Sequence, residues 1–370
     1  MYRLWRPWRL FLVLIGIALA LAQLGPARAL ASTPPVVAVE PSGPSLMPQA
    51  PPGCQAATRT FSQPAAQPIH DLSTITSTLP VNGLPPIIWS VIAHTAISHT
   101  FPSDLEVYLL PPNQFGFRNT LTTHNGGGND NVYANTTWSD QASLGVTEVG
   151  FANGVNQPLL IPEGAMGAHH NHNPNGNWNL IVADTVASDT GTLNSWSLSI
   201  TTLPFMPIGA SQFLNNNASQ AIPDLGTITS TVNVSNAGPV LDEVTIEMVV
   251  PHSKSGDLDI TLMAPGGLTT TLTSGNGGTN ADQFNGTTFT DGPVTNNRAL
   301  VTDAQYTNGV ALDQTQPEGA LGHFRGINPN GTWSLIISDN TPGGAGSLVS
   351  WQLAIYTSHC EALFLPTVRR

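Results

Sequence analysis

Apolar residues recur at every second position over short runs: Val244, Ile246, Met248 and Val250; Leu258, Ile260 and Leu262; Trp333, Leu335 and Ile337; Trp351, Leu353 and Ile355. Each run is bounded by Gly, Pro, Asn or Asp. A period of two sends alternate side chains to opposite faces, so these runs predict strands with one face in a core. No convincing helical period accompanies them. Residues 89–99 read less cleanly as a strand than their later counterpart.

The pattern is written twice. Ile69-His70-Asp71-Leu72-Ser73-Thr74-Ile75-Thr76-Ser77-Thr78 returns 153 residues later as Ile222-Pro223-Asp224-Leu225-Gly226-Thr227-Ile228-Thr229-Ser230-Thr231, and the same spacing carries Asp104-Leu105-Glu106-Val107 onto Asp257-Leu258-Asp259-Ile260. At 151 residues, Asn125-Gly126-Gly127 and Thr136-Thr137-Trp138-Ser139-Asp140 reappear as Asn276-Gly277-Gly278 and Thr287-Thr288-Phe289-Thr290-Asp291. At 155, Pro162-Glu163-Gly164 and Asn173-Pro174-Asn175-Gly176-Asn177-Trp178 reappear as Pro317-Glu318-Gly319 and Asn328-Pro329-Asn330-Gly331-Thr332-Trp333. So long a period exceeds any solenoid repeat and gives each copy enough chain for its own core. The expectation is an all-β protein of two tandem jelly-roll-like β-sandwich domains, at 61–202 and 212–357, joined by a linker at 203–211.

Composition fits that picture. Only 9% of residues are charged, and 35 Gly with 31 Pro make a turn-rich chain. The net charge is −12 and Lys254 is the sole lysine, which excludes a basic surface for a phosphate backbone, and with it nucleic-acid binding. Residues 1–31 have a secretory layout: Arg3, Arg6 and Arg9, an apolar run over 10–24, then Ala29-Leu30-Ala31 as a small-x-small cleavage site. Cleavage there predicts a secreted or cell-surface protein with no membrane span left; an uncleaved membrane helix is the competing reading. Residues 32–60, rich in Pro and Ala, read as a linker, and 358–370 as a tail. Cys54 and Cys360 flank both copies, and are bridged to each other in an oxidising compartment, free, or paired between molecules.

The motifs that recur in order in both copies resemble those of the P (Homo B) domain found beside subtilisin/kexin-type serine proteases. They are Ile-x-Asp-x-x-Thr-Ile-Thr-Ser-Thr, the Ser/Gly-Asp-Leu strand at Asp104 and Asp257, the Asn-Gly-Gly loop leading to Asp140 and Asp291, and Asn-Gly-x-Trp closing with Leu-x-Ser-Trp-x-Leu. Copy one departs at His70, where copy two has Pro223. The resemblance implies a galactose-binding-like β-sandwich that packs on and stabilises a protease, with calcium and pH influence, while catalysis resides elsewhere. Residues ahead of copy one read as signal and linker, so the protease domain itself is expected to be absent.

No serine stands in a Gly-x-Ser-x-Gly context, and Asp189-Thr190-Gly191 reads as a turn, since its counterpart is Gly344-Ala345-Gly346. His169-His170-x-His172 could hold a transition metal, but copy two lacks it, and a solvated loop is the expectation. Calcium is the better metal candidate, through loop and strand-end oxygens: Asp104, Asn125, Asn129, Asp130, Asp140 and Asp184 in copy one, and Asp257, Asn276, Asn280, Asp282, Asp291 and Asp339 in copy two. The same residues could simply cap turns. Trp178, Trp196, Trp333 and Trp351 alternate with aliphatic residues and belong in the core, which weakens a sugar-stacking role. The expected function is a non-catalytic interaction or stabilising module, whose partner is an extracellular protease or its substrate. The alternatives are a carbohydrate-binding or adhesion module, and a protease by family association.

Overall fold

The computed structural model describes residues 46–112, 118–293 and 298–361. The signal at 1–31, the linker up to residue 45 and the tail from residue 362 lie outside the described residues. Copy one contributes β1 (Ala57–Gln63), β2 (Gln67–Ile69), β3 (Thr74–Val81), β4 (Ile87–His99), β5 (Leu105–Leu110), β6 (Asn119–Thr123), β7 (Thr136–Trp138), β8 (Leu159–Leu160), β9 (Gly176–Asp184) and β10 (Gly191–Leu203). Copy two contributes β11 (Ile208–Asn216), β12 (Gln220–Ile222), β13 (Thr227–Val234), β14 (Leu241–Val250), β15 (Leu258–Met263), β16 (Thr269–Ser274), β17 (Phe284–Phe289), β18 (Arg298–Leu300), β19 (Gln314–Gln316), β20 (Gly331–Asp339), β21 (Gly346–Leu348) and β22 (Ser350–His359). The only helical pieces among the described residues are short 3-10 turns, including Met166–His169 and Leu321–Phe324.

In copy one a sheet ordered β1-β10-β4-β7-β8, with β2 also on β10, faces a second sheet ordered β3-β9-β5-β6. Copy two repeats the plan, with β11-β22-β14-β17-β19-β18 facing β13-β20-β15-β16. The long pairings are antiparallel and hold the predicted faces in register: Val244 opposes Ile355, Ile246 opposes Leu353 and Met248 opposes Trp351. Their inward side chains meet Ile260, Leu262, Trp333, Leu335 and Ile337 of the other sheet in one buried core. Copy one builds the same core from Val107, Leu109, Trp178, Leu180 and Val182 against Val91, Trp196, Leu198 and Ile200. The four core tryptophans are buried, and each indole N–H has an acceptor: Pro174 O, Ser77 Oγ, Pro329 O and Ser230 Oγ.

Three expectations shift. Residues 89–99 lie in a 13-residue strand, β4, whose first half is buried on both faces, so the alternation that would have marked it is lost. Strands also reach beyond the sequence boundaries, from Ala57 and to Leu203 in copy one, and from Ile208 to His359 in copy two. Polar Thr and Ser alternation in β1 and the Gly-Ala-Ser start of β11 hid those edge strands. Third, the Met166–His169 turn is no solvated loop, for His169 and His170 are both buried.

Candidate functional site

Each sandwich carries a buried His–Asp pair where two strands end. His99 closes β4 and Asp184 closes β9; the imidazole Nε2 donates to Asp184 Oδ2 at 3.0 Å, while Nδ1 accepts from the Phe101 N–H at 3.1 Å. In copy two His252 meets Asp339 Oδ2 at 3.2 Å, and its Nδ1 lies 2.7 Å from Lys254 O. Asp104 and Asp257 stand beside these pairs. Burial, then the neighbouring carboxylates Asp184 and Asp189, raises the Asp104 carboxyl above its usual range. Asp257 Oδ2 accepts no hydrogen bond, with Lys254 Nζ 3.8 Å away. Both ring nitrogens of each histidine are occupied by the fold, so neither can take a proton from a nucleophile.

The loop asparagines bond inward. Asn125 donates to Glu163 and to Thr123 O, and Asn276 donates to Glu318 and Ser274 O. Each glutamate also accepts from a strand backbone and hydroxyl, Thr123 in one copy and Ser274 in the other, so it latches the loop onto its sheet. Burial pushes the Glu163 carboxyl up to about 7 against the pull of those donors. Asn129 and Asn280 donate to Gly126 O and Gly277 O. Asp282 Oδ1 accepts from the His252 N–H, and Asp130 is tied through its backbone to Asn153 and Gly154. The twelve oxygen donors named from sequence thus take different partners, and buried pairs of them come together in three places: Asp104 with Asp184, Asp257 with Asp339, and Asp140 with Asp291. Among the described residues no three or more His, Cys, Asp or Glu side chains are grouped to hold a metal ion. His169, His170 and His172, weighed from sequence as a transition-metal set, belong to no such group.

Asp140 and Asp291 have another task. Asp140 accepts from the Met166 and Gly167 N–H groups, both at 2.7 Å, and caps the 3-10 turn that begins there. Asp291 caps the equivalent turn through Leu321 at 2.9 Å and Gly322 at 2.5 Å. The two capped turns meet, because both copies belong to one compact unit. Gln141 Nε2 donates to Gly322 O at 2.6 Å, His323 Nδ1 to Asp140 O at 2.9 Å, and the Ala165 N–H to Gln316 Oε1 at 3.2 Å. His170 Nε2 lies 2.6 Å from Asp242 Oδ1, and Arg325 donates to Trp89 O at 3.3 Å with its guanidinium 5.6 Å from that indole ring. Trp89, Leu203 and Val240 form a small apolar cluster across the same seam. Cys54 and Cys360 are disulfide-bonded, 306 residues apart, and tie the entry of copy one to the exit of copy two.

A family model for the proprotein convertase P-domain matches this chain twice, at residues 88–200 and 241–355. The chain belongs to that family. The P domain is an accessory module, and here two copies stand in tandem. A curated relative, the transglutaminase-activating metalloprotease of Streptomyces mobaraensis, is 24% identical over 178 residues, which is 48% of this chain and 18% of that protein. The chain therefore matches less than a fifth of that relative's length. Among solved structures, a serine protease of Aeromonas sobria aligns at 18% identity with a TM-score of 0.27, covering 41% of this chain and 28% of that one. Its complex with the chaperone ORF2 aligns at 18% identity and 0.29, covering 42% and 28%.

Sequence reasoning missed Arg325, Asp242, His99 and His252. The histidines had a signal: they stand 153 residues apart, each five before a repeated Asp. Arg325 and Asp242 had none, because their counterparts in copy one are His170 and Trp89.

Proposed function

We propose that this tandem P-domain protein is an exported, non-catalytic module that binds and stabilises a protease. The observation that carries the reading is the double match to an accessory family, in copies whose strand-end pairs, His99–Asp184 and His252–Asp339, have both ring nitrogens engaged by the fold. The curated relative that matches is named a transglutaminase-activating metalloprotease, and the family is linked to proteases, which supports a protease as partner. The Cys54–Cys360 bond supports an oxidising compartment. Sugar stacking is disfavoured, since Trp89, Trp138, Trp178, Trp196, Trp333 and Trp351 are all buried.

The test is to mix the purified chain with the subtilisin-type and metallo-type proteases secreted by the same cell and follow their inactivation on heating. A saturable lengthening of one protease's half-life is expected, together with no labelling of the chain by a fluorophosphonate serine probe. Labelling, or no effect on any secreted protease, would overturn the proposal. For calcium, Asp257 Oδ2 is buried with no hydrogen-bond partner, beside Asp339, whose oxygens accept from His252 and Thr341. Melting the full chain in millimolar calcium and in chelator decides it, and equal melts would retire the ion.

A further inference from the structure

The seam between the copies holds a charge imbalance. A Cβ placed on Gly322 would lie within 3.2 Å of both Asp140 Oδ2 and Asp291 Oδ2, and one on Gly167 within 3.4 Å of the same two oxygens. The two capping carboxylates therefore converge on each other across the seam, with a glycine on either side. Both residues are buried, each 6% exposed. The charged and titratable neighbours come from four directions. Arg325 follows the Leu321–Phe324 turn, His323 stands within it, His170 and His172 follow the Met166–His169 turn, and Asp242 and Glu243 come from β14. Together with Asp291, Arg325, His170, His172, Asp242 and Glu243 line a cavity of roughly 190 Å³.

Burial holds His170 and His323 below the usual imidazole range. For Asp242 burial acts upward, but the hydrogen bond from His170 and the charge of Arg325 hold the carboxyl low. Arg325 is thus one cation facing Asp140, Asp291 and an ionised Asp242. Two buried carboxylates this close cannot both stay ionised beside a single guanidinium.

We propose that Asp140 and Asp291 share one proton and that this carboxylic acid–carboxylate pair locks the two P domains together, so that raising the pH loosens the seam. One carboxyl of the pair holds the proton while the other stays ionised, and their oxygens keep the four backbone N–H bonds to Met166, Gly167, Leu321 and Gly322. Burial pushes Asp140 up to about 6; burial, then the charge of Asp140, pushes Asp291 up to about 7. Because these docked-state values lie above the ordinary carboxylate value, docking is strongest below about pH 4. It weakens as pH rises to about 7 and is level above that. The disulfide lets the seam open without the copies parting.

Hydrogen exchange on the full oxidised chain reads this directly, at the Met166, Gly167, Leu321 and Gly322 amides, corrected for intrinsic rates. Protection of these amides is expected to fall at least tenfold between pH 5 and pH 8, while Ile246 and Leu335 in the sandwich core stay unchanged. The double variant Asp140→Asn/Asp291→Asn should show no such fall. A flat wild-type profile, or a fall that persists in the variant, overturns the proposal. Should the variant not fold, carboxyl-carbon NMR titration of wild type decides: at least one apparent value above about 5.5 for the pair is expected, and two ordinary values would refute it.

Discussion

Trp351→Ala tests the packing of copy two most sharply. The ring sits on β22, 2% exposed, opposite Met248 and inside the core between the two sheets. Emptying a buried site of this size costs about 3 to 5 kcal/mol, from lost transfer energy and the cavity left behind. No orphan adds to that cost, since Ser230 Oγ, which accepts from the indole at 2.9 Å, keeps the Asn216 amide donor at 3.1 Å. Trp351→Phe separates the terms. It keeps most of the ring volume and loses the hydrogen bond, so about 1 to 2 kcal/mol is expected. The assay is urea denaturation of the oxidised full chain, followed by far-ultraviolet circular dichroism. If the seam couples the copies, the whole transition moves; if it does not, only the copy-two step moves. A loss under about 1 kcal/mol would show a ring that is not in the core, and would restore the aromatic-platform reading.

Two further outcomes are expected. Replacing Cys54 and Cys360 by Ser opens a loop set by the 306-residue separation, which chain entropy values at about 5 to 6 kcal/mol, and a measured loss below about 2 kcal/mol would mean that the docked seam already supplies most of the constraint. Gly322→Ala drives a methyl into the Asp140 and Asp291 carboxylates and should cost about 1 to 3 kcal/mol, whereas Gly150→Ala, with nothing within 4 Å, should stay within about 0.5 kcal/mol; equal effects would place the acid pair elsewhere.

Much of the fold was legible because the cores obey the simplest rule. Val244 to Val250 and Trp333 to Ile337 alternate, the sheets bury one face, and repetition at about 150 residues doubles every inference. What failed to show had a physical reason in each case. The first half of β4 is buried on both sides, on its own core and on the seam around Trp89, so its residues do not alternate. β11 is an exposed edge strand whose register depends on β22 alone, and its Gly-Ala-Ser sequence carries no hydrophobic face over that stretch. At the site, local motifs drew attention to Asp140 and Asp291 as calcium or turn-capping candidates, and the hydrogen bonds show them capping turns. They could not reveal that the two face each other, because that contact depends on how two finished domains dock.

That docking is intramolecular, and this shapes what the seam can be made of. Only residues 204–207 separate β10 from β11, and the disulfide closes the other end, so each copy meets its neighbour at high effective concentration. An interface between separate chains needs a well-packed apolar centre to offset the freedom lost on association. Here a few apolar contacts at Ala142, Ile161, Ala165 and Ala320 suffice beside buried polar bonds. Repeat-equivalent positions have diverged to complement one another: His170 bonds Asp242, and its counterpart Arg325 covers Trp89, the counterpart of Asp242. The tandem thus behaves as a covalently joined pseudo-dimer whose contact face is already filled. A protein partner would use the remaining surface, and the copies can present it in one fixed arrangement when the acid pair is protonated and in a looser one when it is not.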